Sequence, residues 1–254
     1  MRAWLAGRCD IVRRTGNLLA AVTKAGGLVA FTLALALFRR AAFADVVPVA
    51  AAVGGTTAWQ ERFDHEPLGW VDPFDHGAAK LGLVYSVQHE GPFSFLHAHY
   101  DGTSNARPPA LDYGKAFKDH PIELDKVRAL RWRWRALRHP TVGADPWLDC
   151  AASVYVVIKV PSMVAGGRGF KFAWLAKPGA LGTHQHGLLQ VALTNDPAGT
   201  AWLSESVDLC GMYRQQFGPC EGQHVLYVGV MTDGDGTQSL AEADYADFQL
   251  VTSP

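Results

Sequence analysis

The stretch Leu130–Pro140, LRWRWRALRHP, decides the fold. On an extended chain successive side chains point to opposite faces, so Leu130, Trp132, Trp134 and Ala136 share one side while Arg131, Arg133 and Arg135 share the other. A helix would scatter both sets around its circumference. Two tryptophans make a core face, because each buried aromatic removes on the order of 150–250 Å² from water. The arginine row is left facing solvent, carboxylates or a ligand. Pro140, which has no ladder donor, closes the strand.

Short alternating runs of the same kind recur along the chain: KLGLVYSVQ (Lys80 to Gln88), FSFLHAHY (Phe93 to Tyr100), ASVYVVIKV (Ala152 to Val160), FKFAWLA (Phe170 to Ala176), LLQVALT (Leu188 to Thr194), HVLYVGVMT (His224 to Thr232) and DYADFQLV (Asp244 to Val251). Turn-forming clusters such as HEGP, NDPAG and DGDG separate them. One segment, CGMYRQQFG, reads as a short helix near 209–217, with Asp208 as its N-cap and Gly218 as its stop. Strands without interposed helices predict an all-β fold, a two-sheet antiparallel sandwich of jelly-roll-like kind.

The first 44 residues differ from the rest. Arg2, Arg8, Arg13, Arg14 and Lys24 precede the 12-residue apolar run GLVAFTLALALF (Gly27 to Phe38), and the small-residue site Ala42-Phe43-Ala44 follows. This is the pattern of a secretory signal peptide over 1–44, cleaved near Ala44. The run falls short of the roughly 20 residues a membrane span needs, so no permanent membrane anchor is expected. A linker over 45–58 and a single sandwich domain over 59–254 follow, in a periplasmic or secreted protein. Cys150, Cys210 and Cys220 remain after cleavage. The ends of an eight-residue helix lie roughly 12 Å apart, beyond disulfide reach, so a bridge through Cys150, or none, stands as readily as Cys210 with Cys220.

Seven of the 23 Lys and Arg but only one of the 24 acids precede residue 45, leaving 16 against 23 and a mature charge near −7. Such a chain has no general field to concentrate on phosphate backbones, which excludes nucleic acid as a partner despite the arginine row. Serine-hydrolase, P-loop and dinucleotide signatures are absent.

Several motifs together resemble the bacterial domain-of-unknown-function family 3047, whose members are exported and have no established activity. They are LRWRWR (Leu130 to Arg135), AASVYVV (Ala151 to Val157), Trp202 with YRQQFG (Tyr213 to Gly218), MTDGDGT (Met231 to Thr237) and a C-terminal strand ending in YADF (Ala241 to Phe248). Where that resemblance implies paired aspartates before the VYVV strand, this chain has Asp149 followed by Cys150. More distantly, FDHEPLGW (Phe63 to Trp70) and YADFQL (Tyr245 to Leu250) are similar to the terminal strands of jelly-roll carbohydrate-binding modules.

Three constellations are candidates for chemistry. In MTDGDGT, Asp233 and Asp235 with their glycines have the freedom to wrap a hard cation, although a plain hairpin turn has the same composition. The carbohydrate-module resemblance implies that Asp64, Glu66 and Asp247 complete a structural calcium site there. The runs His97-Ala98-His99 and His184-Gln185-His186 would each turn both rings to one face of a strand, a metal-ligand spacing that solvated or packed histidines share. Finally, Trp70, Trp147, Trp174 and Trp202 flank turns or strand ends, where rings can stay open to a sugar, and Arg131, Arg133 and Arg135 would bind carboxylated or sulfated glycans if their face is open. Neutralisation of that row by acids on neighbouring strands is the simpler alternative. Glu205 and Asp208, three apart, face opposite ways on a strand and make a poor glycosidase pair. The expectation is an exported, non-catalytic protein that binds a saccharide or other envelope ligand through Arg131, Arg133, Arg135, Trp174 and Trp202. The alternatives are a glycan-cleaving enzyme of the same architecture and a structural envelope protein.

Overall fold

A computed structural model describes residues 55–66, 68–104, 109–160, 167–178, 182–183 and 187–253. The signal segment and the His184/His186 run lie outside the described residues. The strand read from LRWRWRAL is β6 (Val127–Arg138), and the pleat sorts it as its sequence requires: Trp132 and Trp134 are 1% and 0% exposed.

In chain order the other strands are β1 (Thr56–Glu61), β2 (Tyr85–Glu90), β3 (Phe93–Asp101), β4 (Tyr113–Ala116), β5 (Ile122–Glu123), β7 (Ala152–Lys159), β8 (Arg168–Trp174), β9 (Gly182–Thr183), β10 (Leu188–Thr194), β11 (Leu203–Val207), β12 (His224–Val225), β13 (Tyr227–Met231) and β14 (Leu240–Thr252). Among the described residues, two helices, α1 (Ala78–Leu81) and α2 (Leu209–Phe217), complete the regular elements with a 3-10 turn at Leu124–Lys126. The first sheet has the order β11-β6-β14-β3-β2, with β1 also on β14; the second runs β4-β13-β7-β8-β10-β9. The ladders are antiparallel except for β8 with β10, which is parallel. The all-β sandwich is therefore as predicted. Strand β1 begins at Thr56, inside the stretch read as linker.

The sheets pack through their aromatic inner faces. Trp132 meets Phe172 with ring centroids 5.5 Å apart, and Trp134 meets Trp174 at 5.8 Å. Tyr245 also reaches across: its hydroxyl donates to the Met231 carbonyl at 3.0 Å and accepts from the Ser153 amide at 3.2 Å. Its ring is fully buried, so one side chain of β14 both fills the core and ties the second sheet to the first.

Helix α2 forms as its caps predict. Asp208 accepts the Gly211 amide at 2.8 Å, and Gly218 ends the helix at φ +100, a conformation that suits glycine. Of the cysteine alternatives left open, the structure selects one and corrects the distance argued against it. Cys210 and Cys220 are bridged, with Cα atoms 5.6 Å apart, and Cys150 is the buried free thiol. Cys220 lies beyond the helix end, not at it: the reversal at Gly218-Pro219 returns the chain alongside the first turn of α2. The length of a helix was the wrong measure of that distance.

Candidate functional site

The outer face of the first sheet is where polar and aromatic side chains converge. Pairing places Asp244 of β14 opposite both Arg135 of β6 and His97 of β3. Its carboxylate serves both neighbours: Oδ2 accepts from Arg135 Nε at 2.6 Å, and Oδ1 bonds His97 Nδ1 at 2.7 Å. Asp244 is 1% exposed, so this charge is compensated by its two neighbours rather than by water. Arg135 Nη2 also donates to Glu90 Oε1 at 2.5 Å, at the end of β2. The bond to Asp244, opposed by burial, raises the His97 pKa above the ordinary histidine value.

Three rings hold the guanidinium groups. Arg135 lies over Trp202 at 4.5 Å and Phe95 at 5.2 Å; Arg133 lies over Phe93 at 5.0 Å and Trp202 at 5.2 Å. Phe93 and Phe95 meet the Trp202 ring edge-on, at 5.3 and 5.6 Å. Arg133 is also paired, with Asp247 at 3.2 Å. No ion pair of Arg131 is seen among the described residues. Beside this arrangement an open groove of about 430 Å³ is lined by Gln88, His89, Glu90, Phe95, His97, Arg135, Leu137 and Asp244.

The structure thus brings Arg133, Arg135 and Trp202 together but changes what the arginines can do. The Arg135 donors are occupied by Asp244, Glu90 and, at 3.4 Å, the Thr200 carbonyl. Cross-strand neutralisation, the simpler sequence reading, is the arrangement found for Arg133 and Arg135. Trp174 does not belong to this face. It is 2% exposed on the opposite sheet, with Nε1 donating to the Asp196 carbonyl at 2.9 Å, because its strand turns it inward against Trp134. Trp70 is likewise buried, donating to Glu61 at 3.0 Å. Sequence reasoning missed Asp244 and Glu90, which reach Arg135 only through strand register, and Gln88, which lines the groove.

The five acids expected to hold calcium do not assemble. Asp247 sits in an irregularity of β14 at φ +52, with its carboxylate on Arg133, while Asp64 and Glu66 are exposed in the loop after β1. Asp149 joins Asp233 and Asp235 instead, with ligand oxygens within 4.8 Å of one another. The donor set fits a capped turn better than a cation. Asp149 accepts from the Gly236 amide at 3.0 Å, the Thr237 amide at 2.8 Å and the Thr237 hydroxyl at 2.5 Å; Asp233 accepts the Asp235 amide at 2.9 Å. Burial, then Asp235, raises the Asp233 pKa, and the buried Lys171 ammonium supplies positive charge nearby. Calcium or a chelator is expected to leave the thermal midpoint of the protein unchanged. A rise with calcium would restore the metal reading, since a ligand held only by the folded chain must raise it.

Glu205 and Asp208 do not form a catalytic pair. Glu205 faces inward, accepting from Trp134 Nε1 at 3.1 Å, with its pKa raised by burial against that bond; Asp208 caps α2.

No protein-family model matches the chain, so membership of the domain-of-unknown-function family 3047 has no support, and no curated protein matches it. Solved structures similar to it include the carbohydrate-binding module TmCBM27, described for specific mannan recognition (12% identity, 80% of this chain and 100% of that one, TM-score 0.36). Others are the K1 cleaved adhesin domain of Lys-gingipain from Porphyromonas gingivalis W83 (15%, 79% and 99%, 0.35) and a thermostable cellulase derived from Cel12A of Rhodothermus marinus (11%, 67% and 93%, 0.39). At these scores the likeness says nothing about a ligand, and the architecture rests on the strand pairing itself.

Proposed function

We propose that this protein binds a neutral saccharide, without catalysis, in the groove on the outer face of its first sheet. The observation that carries the reading is the groove lining: Gln88, His89, Glu90 and the Nε2 edge of His97 offer hydrogen-bonding groups to it, while Arg135 and Asp244, bonded to each other, hold Glu90 and His97 in place. Its volume of about 430 Å³ lies in the range of small-molecule sites. Anionic glycans are disfavoured because the Arg135 forks already hold carboxylates, and Glu90 and Asp244 outnumber that one arginine. Action outside the cytoplasm is part of the proposal, supported by the signal-like first 44 residues and the Cys210–Cys220 bridge.

A glycan array tests it. Wild type should retain neutral oligosaccharides, and Gln88→Ala, an exposed change that leaves the core intact, should weaken the best of them about fivefold to tenfold, the worth of one hydrogen bond. Retention of no glycan, or of sulfated and carboxylated ones alone, overturns the reading.

A further inference from the structure

The pleat that faces the arginines outward does the same for both histidines of the β3 run. Ala98 between them is fully buried, so His97 and His99 emerge on the outer face. Antiparallel pairing with β14 sets Glu242 directly opposite His99 and Asp244 directly opposite His97. Four ligand-type side chains therefore occupy adjacent positions on two hydrogen-bonded strands. Directly opposite Cβ atoms lie roughly 5 Å apart in such a ladder.

We propose that His97 Nε2, a ring nitrogen of His99 and a carboxylate oxygen of Glu242 bind one divalent transition-metal ion, zinc by preference. Their ligand atoms already lie within 4.8 Å of one another, and His97 Nε2 is 3.6 Å from Glu242 Oε1. Around a tetrahedral ion with bonds of about 2.1 Å, ligand atoms are separated by about 3.4 Å, so closing the site takes side-chain rotation and no backbone movement.

Three further features favour the metal. Asp244 engages His97 at Nδ1, and Arg135 anchors Asp244 in turn. This is the outer carboxylate that metal-binding histidines ordinarily have, and it fixes the ring with Nε2 toward Glu242. The charge is also right: Glu90, Asp244, Glu242 and Asp101 against Arg135 and Arg138, the latter opposite Glu242 in the ladder, leave about two negative charges for a divalent cation to balance. Lastly, two imidazoles and one carboxylate select a borderline first-row ion over calcium or magnesium, which take oxygen. Three protein ligands leave a fourth position for water or a ligand, beside the groove that His97 and Asp244 line.

The test is titration of the full chain with zinc alone, followed by calorimetry, and with cobalt alone, followed by its visible absorption. One equivalent of zinc should bind, and cobalt should give the intense bands of a tetrahedral site. His99→Ala and Glu242→Gln, both on the sheet surface, should each lower zinc affinity at least tenfold, whereas His89→Ala should not. Absence of binding, or affinity retained when His99 and Glu242 are replaced together, overturns the proposal. No sugar enters the experiment, so its outcome is separate from that of the saccharide reading.

Discussion

Arg135→Ala is expected to destabilise the folded protein by about 3 kcal/mol or more, a loss measurable by urea unfolding. The substitution leaves the Asp244 carboxylate, 1% exposed, with His97 as its remaining side-chain partner, and it removes the guanidinium that lies over Phe95 and Trp202. Breaking a buried pair by removing one partner costs more than the pair contributes, because a desolvated charge stays behind. The double replacement Arg135→Met with Asp244→Asn should therefore recover much of the loss. A single-mutant cost below about 1 kcal/mol would contradict the pairing described for β6 and β14.

The second large effect is a fall in stability between about pH 4 and pH 7 that Asp112 should produce. This carboxyl is 1% exposed, and burial pushes its pKa up to about 7, although the Tyr227 hydroxyl donates to it at 2.6 Å. A group that holds its proton more tightly folded than unfolded contributes stability that is complete below its unfolded value near 3.8 and is lost as pH rises through the folded value. Roughly three pK units correspond to about 4 kcal/mol as an order of magnitude. Denaturant midpoints at pH 5 and pH 8 check this. Wild type should be the less stable at pH 8, and Asp112→Asn, whose amide oxygen can still accept from Tyr227, should lose most of that difference. Equal slopes in the two proteins would show that Asp112 does not carry it.

What was legible in the sequence was what a single strand or helix decides by itself. Alternation sorted Trp132 and Trp134 from the arginines, and Asp208 and Gly218 bounded α2, because pleating and capping are local. Pairings between distant segments were not legible. Asp244 is 109 residues from Arg135, and Glu90 is 45, so their meeting depends on register, which no short window contains. Trp174 shows the same limit. Its place near the end of a strand suggested an open ring, but the face it occupies is set by which sheet β8 joins. The short strands β4, β5, β9 and β11 carry too few alternating positions to stand out.

Strand β14 borders β6 along one edge and β3 and β1 along the other, yet it is the last described strand in chain order. During synthesis the first sheet therefore lacks its central strand until β14 has emerged after all of its neighbours. Most of its ladders join distant parts of the chain, a topology associated with slow folding. Until β14 docks, the facing edges of β6 and β3 present unpaired backbone amides and carbonyls, and those edges are where a second copy of the chain could pair wrongly.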